Sequence, residues 1–297
     1  MIAVPAVVVV ALVLALAGGG AEETSPQQDS APAAATATRA DRFDSARAWK
    51  HLRHQVGLGP RPAGSPELAE LAGYLRARLP RGHFESVPGH PGLRNVVGRI
   101  PGKKPAVVLA AHYDTKALPG FVGANDGAGG TAAVLEISRA LRKLKRPKGA
   151  PEIRFVFFDG EEATDDTRPF EATALRGSKA YARRHAEEVR ALVLLDFVAE
   201  KGAMRIPREA GSDARLWRRL RAAAKRAGSA EAFPPGLVGE VTDDHTPFMR
   251  RGIPAIDLID FTFDCWHELC DDMSAVSARS LDHTGETVTQ MLLDFRR

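Results

Sequence analysis

Cysteine is nearly absent from this sequence, since the 297 residues include only two. So few thiols exclude a disulfide scaffold and any zinc site built from four cysteines. A metal site would therefore have to use the nine histidines and the carboxylates. Hydrophobic residues make up 44% and charged residues 26%, which excludes a wholly disordered or fibrous chain. The length is sufficient for a buried core.

A large excess of one charge is missing too. Lysine and arginine number 41 against 37 acidic residues, which gives a net charge of +4 at pH 7. We interpret the basic clusters 139–148 and 215–226 as cations at helix C-termini and on a solvated face. Few aromatic residues lie among them, so the sequence predicts no nucleic-acid partner.

The N-terminus carries an uninterrupted apolar run, residues 2–17, followed by small residues at 18–21. The run is shorter than the roughly 20 residues that span a membrane, and its layout is typical of an export signal. We therefore predict that residues 1–21 are a signal peptide or, as the alternative, an N-terminal anchor. Either one makes the protein secreted or extracytoplasmic, with a membrane partner only if the segment is not cleaved.

The next segment, residues 22–40, is rich in alanine, serine, threonine, proline and glutamine. Such a composition buries little apolar area and predicts a disordered linker. No further linker interrupts residues 41–297, which we predict to form one domain.

Apolar patterning within this domain predicts alternating helices and strands. Helical spacing marks residues 45–56, 66–79, 127–145, 177–188, 212–226 and 278–295. Short apolar or β-branched runs mark strands at residues 94–100, 106–111, 153–158, 191–195 and 253–259. The alternation predicts an α/β fold whose mostly parallel sheet is covered on both faces. The Pro101-Gly102 turn is typical of a hairpin and predicts that the first two strands pair.

Histidine or acidic residues follow the strands. The segments concerned are His112-Tyr113-Asp114, Asp159-Gly160-Glu161-Glu162, Asp196 and, after a loop, Cys265-Trp266-His267. Because ligands bind beyond the carboxyl ends of strands in such sheets, we expect these groups at one edge, near Asp126 at the start of a helix. Histidine and carboxylate ligands without a thiolate are typical of a catalytic zinc site, and a neighbouring carboxylate can act as general base.

Each of these residues also has a simpler interpretation when it is taken alone. Asp126 could be a helix N-cap, and Glu161-Glu162 could lie in a solvated loop. The relaxed G-x-G-x-x-A pattern at 127–132 could indicate a dinucleotide site, but the loop 112–126 separates it from its strand. His245 could be a ligand, although the Thr-Pro-Phe that follows favours a helix start there.

In this order, the motifs resemble the zinc aminopeptidase and glutaminyl cyclase superfamily, metallopeptidase family twenty-eight. The matching stretches are AHYDTK (111–116), FVGANDGAGG (121–130), FVFFDGEEA (155–163), LVLLDF (192–197), DDHTPFMRRGIPAIDLID (243–260) and CWH (265–267). The resemblance implies a three-layer α/β/α sandwich with a central mixed, mostly parallel sheet. The similarity to glutaminyl-peptide cyclotransferases is closer than that to plain aminopeptidases.

The resemblance also implies roles for individual residues. Asp126, Glu162 and His267 match the core zinc ligands, and His112 and Asp196 would complete a second site bridged by Asp126. One zinc ion is expected in a cyclotransferase and two in an aminopeptidase. The other implied roles are a general acid/base for Glu161, an orienting partner of His112 for Asp114, an acidic network around the base for Asp196 and Asp243, and substrate binding for Trp266.

Two positions depart from the cyclase pattern. The family's histidine in the strand after the G-I-P turn is Asp257 here, and the segment 164–175 lacks the tryptophan of animal cyclases. Both departures weaken the match to cyclases but leave the fold unaffected. The resemblance as a whole still implies a monomeric enzyme that acts on the N-termini of peptides or proteins and converts N-terminal glutamine to pyroglutamate. The alternatives are a zinc aminopeptidase and, in another class, a non-catalytic peptide-binding relative.

The two cysteines, Cys265 and Cys270, flank Trp266 and His267. They are too far apart in sequence for a bridge along a regular helix, but a loop could close one. Together with an export signal, this spacing favours a disulfide that locks the loop of His267. Two buried, unbridged cysteines are the alternative.

Overall fold

A computed structural model describes residues 41–295, which contain both helices and strands. The α-helices are α1 (Ser45–Gly57), α2 (Pro66–Arg78), α3 (Ala128–Lys143), α4 (Phe170–Thr173), α5 (Arg176–His185), α6 (Ala214–Ala227), α7 (Thr246–Met249) and α8 (Ala278–Asp294). The strands are β1 (His83–Ser86), β2 (Arg94–Ile100), β3 (Lys103–His112), β4 (Pro151–Phe158), β5 (Val189–Leu195), β6 (Arg208–Glu209), β7 (Leu237–Val238) and β8 (Ala255–Leu258). The predicted export signal, 1–21, and linker, 22–40, lie outside the described residues. Between residues 41 and 295, no helix is long and apolar enough to cross a membrane.

The main sheet has six strands in the order β1-β2-β4-β3-β5-β8. The pairs β3–β4, β3–β5 and β5–β8 are parallel, whereas β1–β2 and β2–β4 are antiparallel. The mixed sheet with flanking helices confirms the predicted fold class. The parallel half contains the strands whose ends carry the acidic and histidine residues.

The predicted hairpin between β2 and β3 is wrong. β4 lies between these strands and pairs with both of them, so that Ile153 is opposite Ile100 on one side and Val107 on the other. All residues of β4 are buried, as befits a strand inside the sheet. The Pro101-Gly102 turn instead crosses the start of β4, where the Gly102 backbone packs against Pro151. The Pro-Gly composition of this turn is compatible with a hairpin. Burial of β4 between β2 and β3 is the more favourable arrangement, because every residue of β4 is then buried.

Alternate residues of the parallel strands enter two separate cores. On one face, Val107, Leu109 and Ala111 of β3 belong to the core packed by α1, α2, α3, α6 and α8. On the other face, Val108 and Ala110 join the core that contains residues of α5 and α7. The runs of the central strands are fully apolar because both faces are covered, which gives the α/β/α layering.

Most helix and strand boundaries agree with the sequence pattern to within a few residues. The predicted helix at 177–188 ends earlier, since α5 is followed by a 3-10 turn at Ala186–Glu188. The helix start after His245 is confirmed as α7. The short elements β1, β6, β7 and α4 were not predicted, because two to four residues carry too little periodicity to be recognised.

Helix α3 lies close to the sheet because its first turn is rich in glycine. A Cβ atom on Gly130 would lie 2.1 Å from the carbonyl oxygen of Leu195 and 3.2 Å from the Cβ of Ala111. Since Leu195 directly precedes Asp196, this close approach sets the distance between the start of α3 and the end of β5.

We expect Gly130→Ala to destabilise the protein by about 1–3 kcal/mol, because the added methyl group would push α3 away from β5. The matched control is Gly73→Ala in α2, where no atom lies within 4 Å of the added Cβ. That substitution should raise the free energy of unfolding by about 0.5–1 kcal/mol through helix propensity. Denaturant unfolding of both variants measures the difference. Equal effects of the two substitutions would contradict the close approach.

Candidate metal centre and active site

The carboxyl ends of the parallel strands bring the predicted site residues together. β3 ends at His112, β4 ends shortly before Glu161 and Glu162, and β5 ends immediately before Asp196. Asp126 reaches the same edge from the loop before α3. It is not the N-cap of that helix, because Gly127 holds this position at φ = 91° and no side chain makes a capping hydrogen bond.

Asp126, Glu162 and His267 form the first group that could hold a metal ion. Their ligand atoms lie within 4.8 Å of one another. His267 Nε2 is 3.5 Å from Asp126 Oδ2 and 3.4 Å from Glu162 Oε2. Tetrahedral ligands about 2.0–2.1 Å from zinc are separated by roughly 3.4 Å, so the spacing fits this ion. Asp126 Oδ2 and Glu162 Oε1 are buried and accept no hydrogen bond from the described residues, which leaves them available to a cation.

His112, Asp126 and Asp196 form a second group that shares Asp126 with the first. His112 Nε2 lies 3.2 Å from Asp196 Oδ1 and 3.3 Å from Asp126 Oδ1. All three side chains are buried. The arrangement could hold a second cation bridged by Asp126, or a hydrogen bond between His112 and Asp196.

Asp114 supports the adjacent glutamates more directly than it supports His112. Its carboxylate accepts hydrogen bonds from the backbone N–H groups of Glu161, at 3.1 Å, and Glu162, at 3.2 Å. His112 Nδ1 lies 3.1 Å from the Asp114 backbone oxygen and 3.7 Å from its carboxylate. Asp114 therefore orients the turn that presents Glu161 and Glu162, which sequence patterning did not indicate.

Burial and like charge raise the pKa values of the carboxyl groups in this region. Burial, with a further contribution from Asp126, raises the pKa of Glu162 to about 7. Burial raises the pKa of Asp196 to about 8, although the hydrogen bond with His112 opposes it. Burial, followed by the charge of Glu162, raises the pKa of Glu161 well above its usual range. A bound cation would relieve this repulsion.

The carboxylates open into a cleft of about 550 Å³. Its lining combines Asp126, Glu161, Glu162, Asp196, Asp243 and His267 with the apolar residues Phe170, Phe197, Val238, Val241, Ile259, Phe261 and Trp266. Trp266 is half-exposed at the mouth, with its ring 4.8 Å from that of His267 and 5.1 Å from that of Phe261. The segment 164–175 lacks the tryptophan of animal cyclases, but its Phe170 provides an aromatic side chain that lines the cleft.

Two residues that sequence reasoning missed hold the loop of Asp126. The carboxylate of Asp271 accepts hydrogen bonds from the backbone N–H groups of Asn125, at 2.7 Å, and Asp126, at 3.0 Å. The fully buried guanidinium of Arg61 donates to the backbone oxygen of Val122 at 2.9 Å. In the sequence, only the position of Asp271 next to Cys270 could have indicated its role. Arg61 lies outside every motif, so nothing in the sequence indicated its role.

The structure contains the expected disulfide between Cys265 and Cys270. The bridge encloses His267, which adopts a left-handed backbone with φ = 55°. This conformation costs a residue with a Cβ about 1–2 kcal/mol. The bridge also ends next to Asp271, so one loop supports both His267 and the backbone of Asp126.

Comparisons with known proteins identify relatives of this chain. The profile of Peptidase family M28 matches residues 95–292. A glutaminyl-peptide cyclotransferase-like protein of Mus musculus is 30% identical over 275 residues, covering 77% of this chain and 70% of the relative. The crystal structure of Porphyromonas gingivalis glutaminyl cyclase matches at a TM-score of 0.74 with 28% identity, covering 85% and 99% of the two chains. A leucine aminopeptidase precursor from Bacteroides thetaiotaomicron matches at 0.75 with 26% identity, covering 86% and 98%.

The stability of the metal-free protein should fall as the pH rises. Carboxyl groups with raised native pKa values retain protons that the unfolded chain has already released, so the free energy of unfolding decreases between about pH 5 and pH 8. The window follows from pKa values of about 7 for Glu162 and about 8 for Asp196. Denaturant unfolding of EDTA-treated and zinc-loaded protein at pH 6 and pH 8 measures this. The prediction is wrong if the difference in the free energy of unfolding between the two forms does not increase from pH 6 to pH 8.

Removing the disulfide should weaken metal binding. In the double variant Cys265→Ser/Cys270→Ser, nothing covalent holds His267 in its left-handed conformation, so ordering it on binding would cost about 1–2 kcal/mol, or roughly tenfold in affinity. Competition with a zinc-binding dye measures the affinity. The control Asp264→Asn lies beside the bridge but not in it. Unchanged affinity in the double variant would show that the fold alone holds the loop.

Proposed function

Since this chain belongs to peptidase family M28, we propose that it is a zinc-dependent enzyme that converts the N-terminal glutamine of peptides to pyroglutamate with release of ammonia. The observation that carries the proposal is the cleft itself. On one wall lie Asp126, Glu162 and His267, beside them lies the carboxyl group of Glu161, and at the mouth lies Trp266. The homology to glutaminyl-peptide cyclotransferases extends over most of the chain.

We assign Asp126, Glu162 and His267 as the zinc ligands. Their donor set of one imidazole and two carboxylates leaves a fourth position for substrate, as catalytic zinc sites do. The ion, when bound, would polarise the γ-carbonyl of the substrate glutamine as a Lewis acid.

Glu161 acts as the general acid/base. It takes a proton from the neutral α-amine as the nitrogen attacks the γ-carbonyl carbon, and it gives that proton to the departing amide nitrogen, which leaves as ammonia. The new bond joins two atoms of the same residue, so the enzyme mainly has to orient the side chain. The hydrogen bond from the Glu161 backbone N–H to Asp114 holds the base in place.

Asp196 and Asp243 hold the substrate amine, because both carboxyl groups line the cleft together with Glu161. Trp266 covers the substrate at the mouth, and Phe170 and Phe261 extend this apolar wall. A substrate packed against this wall would have its γ-carbonyl shielded from water, which favours attack by the amine over hydrolysis.

Aminopeptidase action is the second candidate, and the group of His112, Asp126 and Asp196 favours it. This group would hold a second zinc ion beside the first, as two-metal hydrolases require. Glu161 would then deprotonate a water molecule rather than an amine. One ion is expected for cyclisation and two for hydrolysis.

Incubation of the zinc-loaded protein with a glutamine-initiated peptide distinguishes these reactions by mass. We expect loss of one ammonia, whereas loss of a whole residue would establish hydrolysis instead. Neither product, with zinc supplied to the intact protein, would overturn both assignments.

Glu161→Gln should lower the rate of product formation by about 10²–10⁴-fold and leave zinc bound, because it removes the base without removing a ligand. The matched variant Glu162→Gln, one residue away, should instead lose zinc. Product formation and metal content of both variants are measured together. Full activity of Glu161→Gln would remove it from the role of base.

A further inference from the structure

A third cluster of metal-ligating side chains lies outside the two groups described above. Asp243, His245 and Asp257 place their ligand atoms within 4.8 Å of one another. All three side chains are buried. His245 and Asp257 do not line the cleft, whereas Asp243 does, so the cluster lies next to the active site but apart from it.

Several polar atoms of this cluster lack hydrogen-bond partners of normal geometry. Within residues 41–295 these are both ring nitrogens of His245, both carboxylate oxygens of Asp257 and Asp243 Oδ2, whereas Asp243 Oδ1 accepts from the backbone N–H of Asp244. Buried polar groups are nearly always satisfied, so several orphaned atoms facing one another indicate a missing ligand. Two carboxylates buried side by side indicate that this ligand carries positive charge.

The surroundings of His245 resemble those of a metal-bound histidine. Its Nδ1 lies 3.9 Å from Asp257 Oδ2, and its Nε2 lies 3.5 Å from Glu209 Oε1 on the opposite side. Histidine ligands usually direct their second nitrogen at a carboxylate, which fixes the ring and its tautomer. Glu209 is itself held by the backbone N–H of Gly211 at 2.6 Å.

One donor lies in a strand, and the other two lie in the turn before α7. Asp257 lies within β8, opposite Leu194 of β5, and its backbone N–H donates to Ser212 Oγ at 2.9 Å. His245 directly precedes α7, and the backbone oxygen of Asp243 accepts a hydrogen bond from the backbone N–H of Thr246 at 2.8 Å. The side chains are thus presented from a buried strand and a hydrogen-bonded turn, which orders them before a ligand binds.

We propose that Asp243, His245 and Asp257 bind a divalent transition-metal cation, with zinc as the best match, at a structural site behind the active-site wall. One imidazole and two carboxylates are the donors that zinc accepts, and Glu209 orients the imidazole. The cation neutralises carboxylates whose burial side by side is otherwise unfavourable.

The site has one consequence for the reaction, and only this consequence rests on the proposed function. A cation bound to Asp243 fixes the orientation of that carboxylate toward the cleft, which Asp243 lines. Asp243 can then receive the substrate amine. The presence of the cation itself depends on no assumption about the product.

The experiment counts metal ions per chain. The zinc-loaded protein, passed through a desalting column, is analysed by inductively coupled plasma mass spectrometry beside His245→Gln, Asp257→Asn and the control His90→Gln, whose histidine is exposed. We expect each cluster variant to lose one equivalent relative to the unmodified protein, and the control to lose none. Combining His245→Gln with Glu162→Gln should remove a further equivalent, because the two sites are separate.

Unchanged metal content in folded His245→Gln and Asp257→Asn would overturn the proposal and would mean that the carboxyl groups share protons instead. If these variants do not fold, crystals of the unmodified zinc-loaded protein provide the test. An anomalous peak at the zinc edge among Asp243, His245 and Asp257 supports the site, and its absence beside an occupied first site overturns it. Metal content is independent of product identity, so this result and the failure of the proposed reaction are distinguishable.

Discussion

The carboxylates of Asp126, Glu162 and Asp196 are buried together at the carboxyl edge of the parallel strands, and their mutual repulsion constrains the structure around them. In a region of low dielectric constant, such a group is stable only when protons or cations balance its charge. The imidazoles of His112 and His267 lie among these carboxylates and supply nitrogen donors. The same arrangement that disfavours the metal-free state therefore creates affinity for a cation.

Holding these groups close to one another requires support from outside the site. The carboxylate of Asp114 fixes the turn of Glu161 and Glu162, and that of Asp271 fixes the loop of Asp126. The disulfide then links the segment of His267 to the neighbourhood of Asp271. The buried acidic side chains thus fall into two groups. Asp126, Glu162 and Asp196 are available to a metal ion, whereas Asp114 and Asp271 accept hydrogen bonds from the backbone of Asp126, Glu161 and Glu162. This explains why so many acids are buried without all of them being ligands.

The cleft adds selectivity to this reactive centre. Its apolar side chains come from four segments of the chain, represented by Phe170, Phe197, Val238 and Trp266. An apolar mouth over a charged floor suits a substrate that presents a small polar end group on a less polar chain. A peptide N-terminus meets this description.

Much of this protein could be predicted from the sequence because its signals are local. Periodicity located the longer elements, and acidic or histidine residues after the strands marked the edge at which His112, Glu162 and Asp196 meet. A strand end is recognisable from neighbouring residues, and parallel strands bring such ends to one edge whatever their order. The sequence motifs also pointed to the family before any contact was known.

Only the tertiary structure decided how distant segments meet. Insertion of β4 between β2 and β3, the support of Asp126 by Arg61 and Asp271, and the approach of Glu209 to His245 have no local signature. Each depends on which strands pair and which loops pack across the end of the sheet. Local patterning specifies the faces that are buried, whereas the choice of partner is made by the packing of the whole chain.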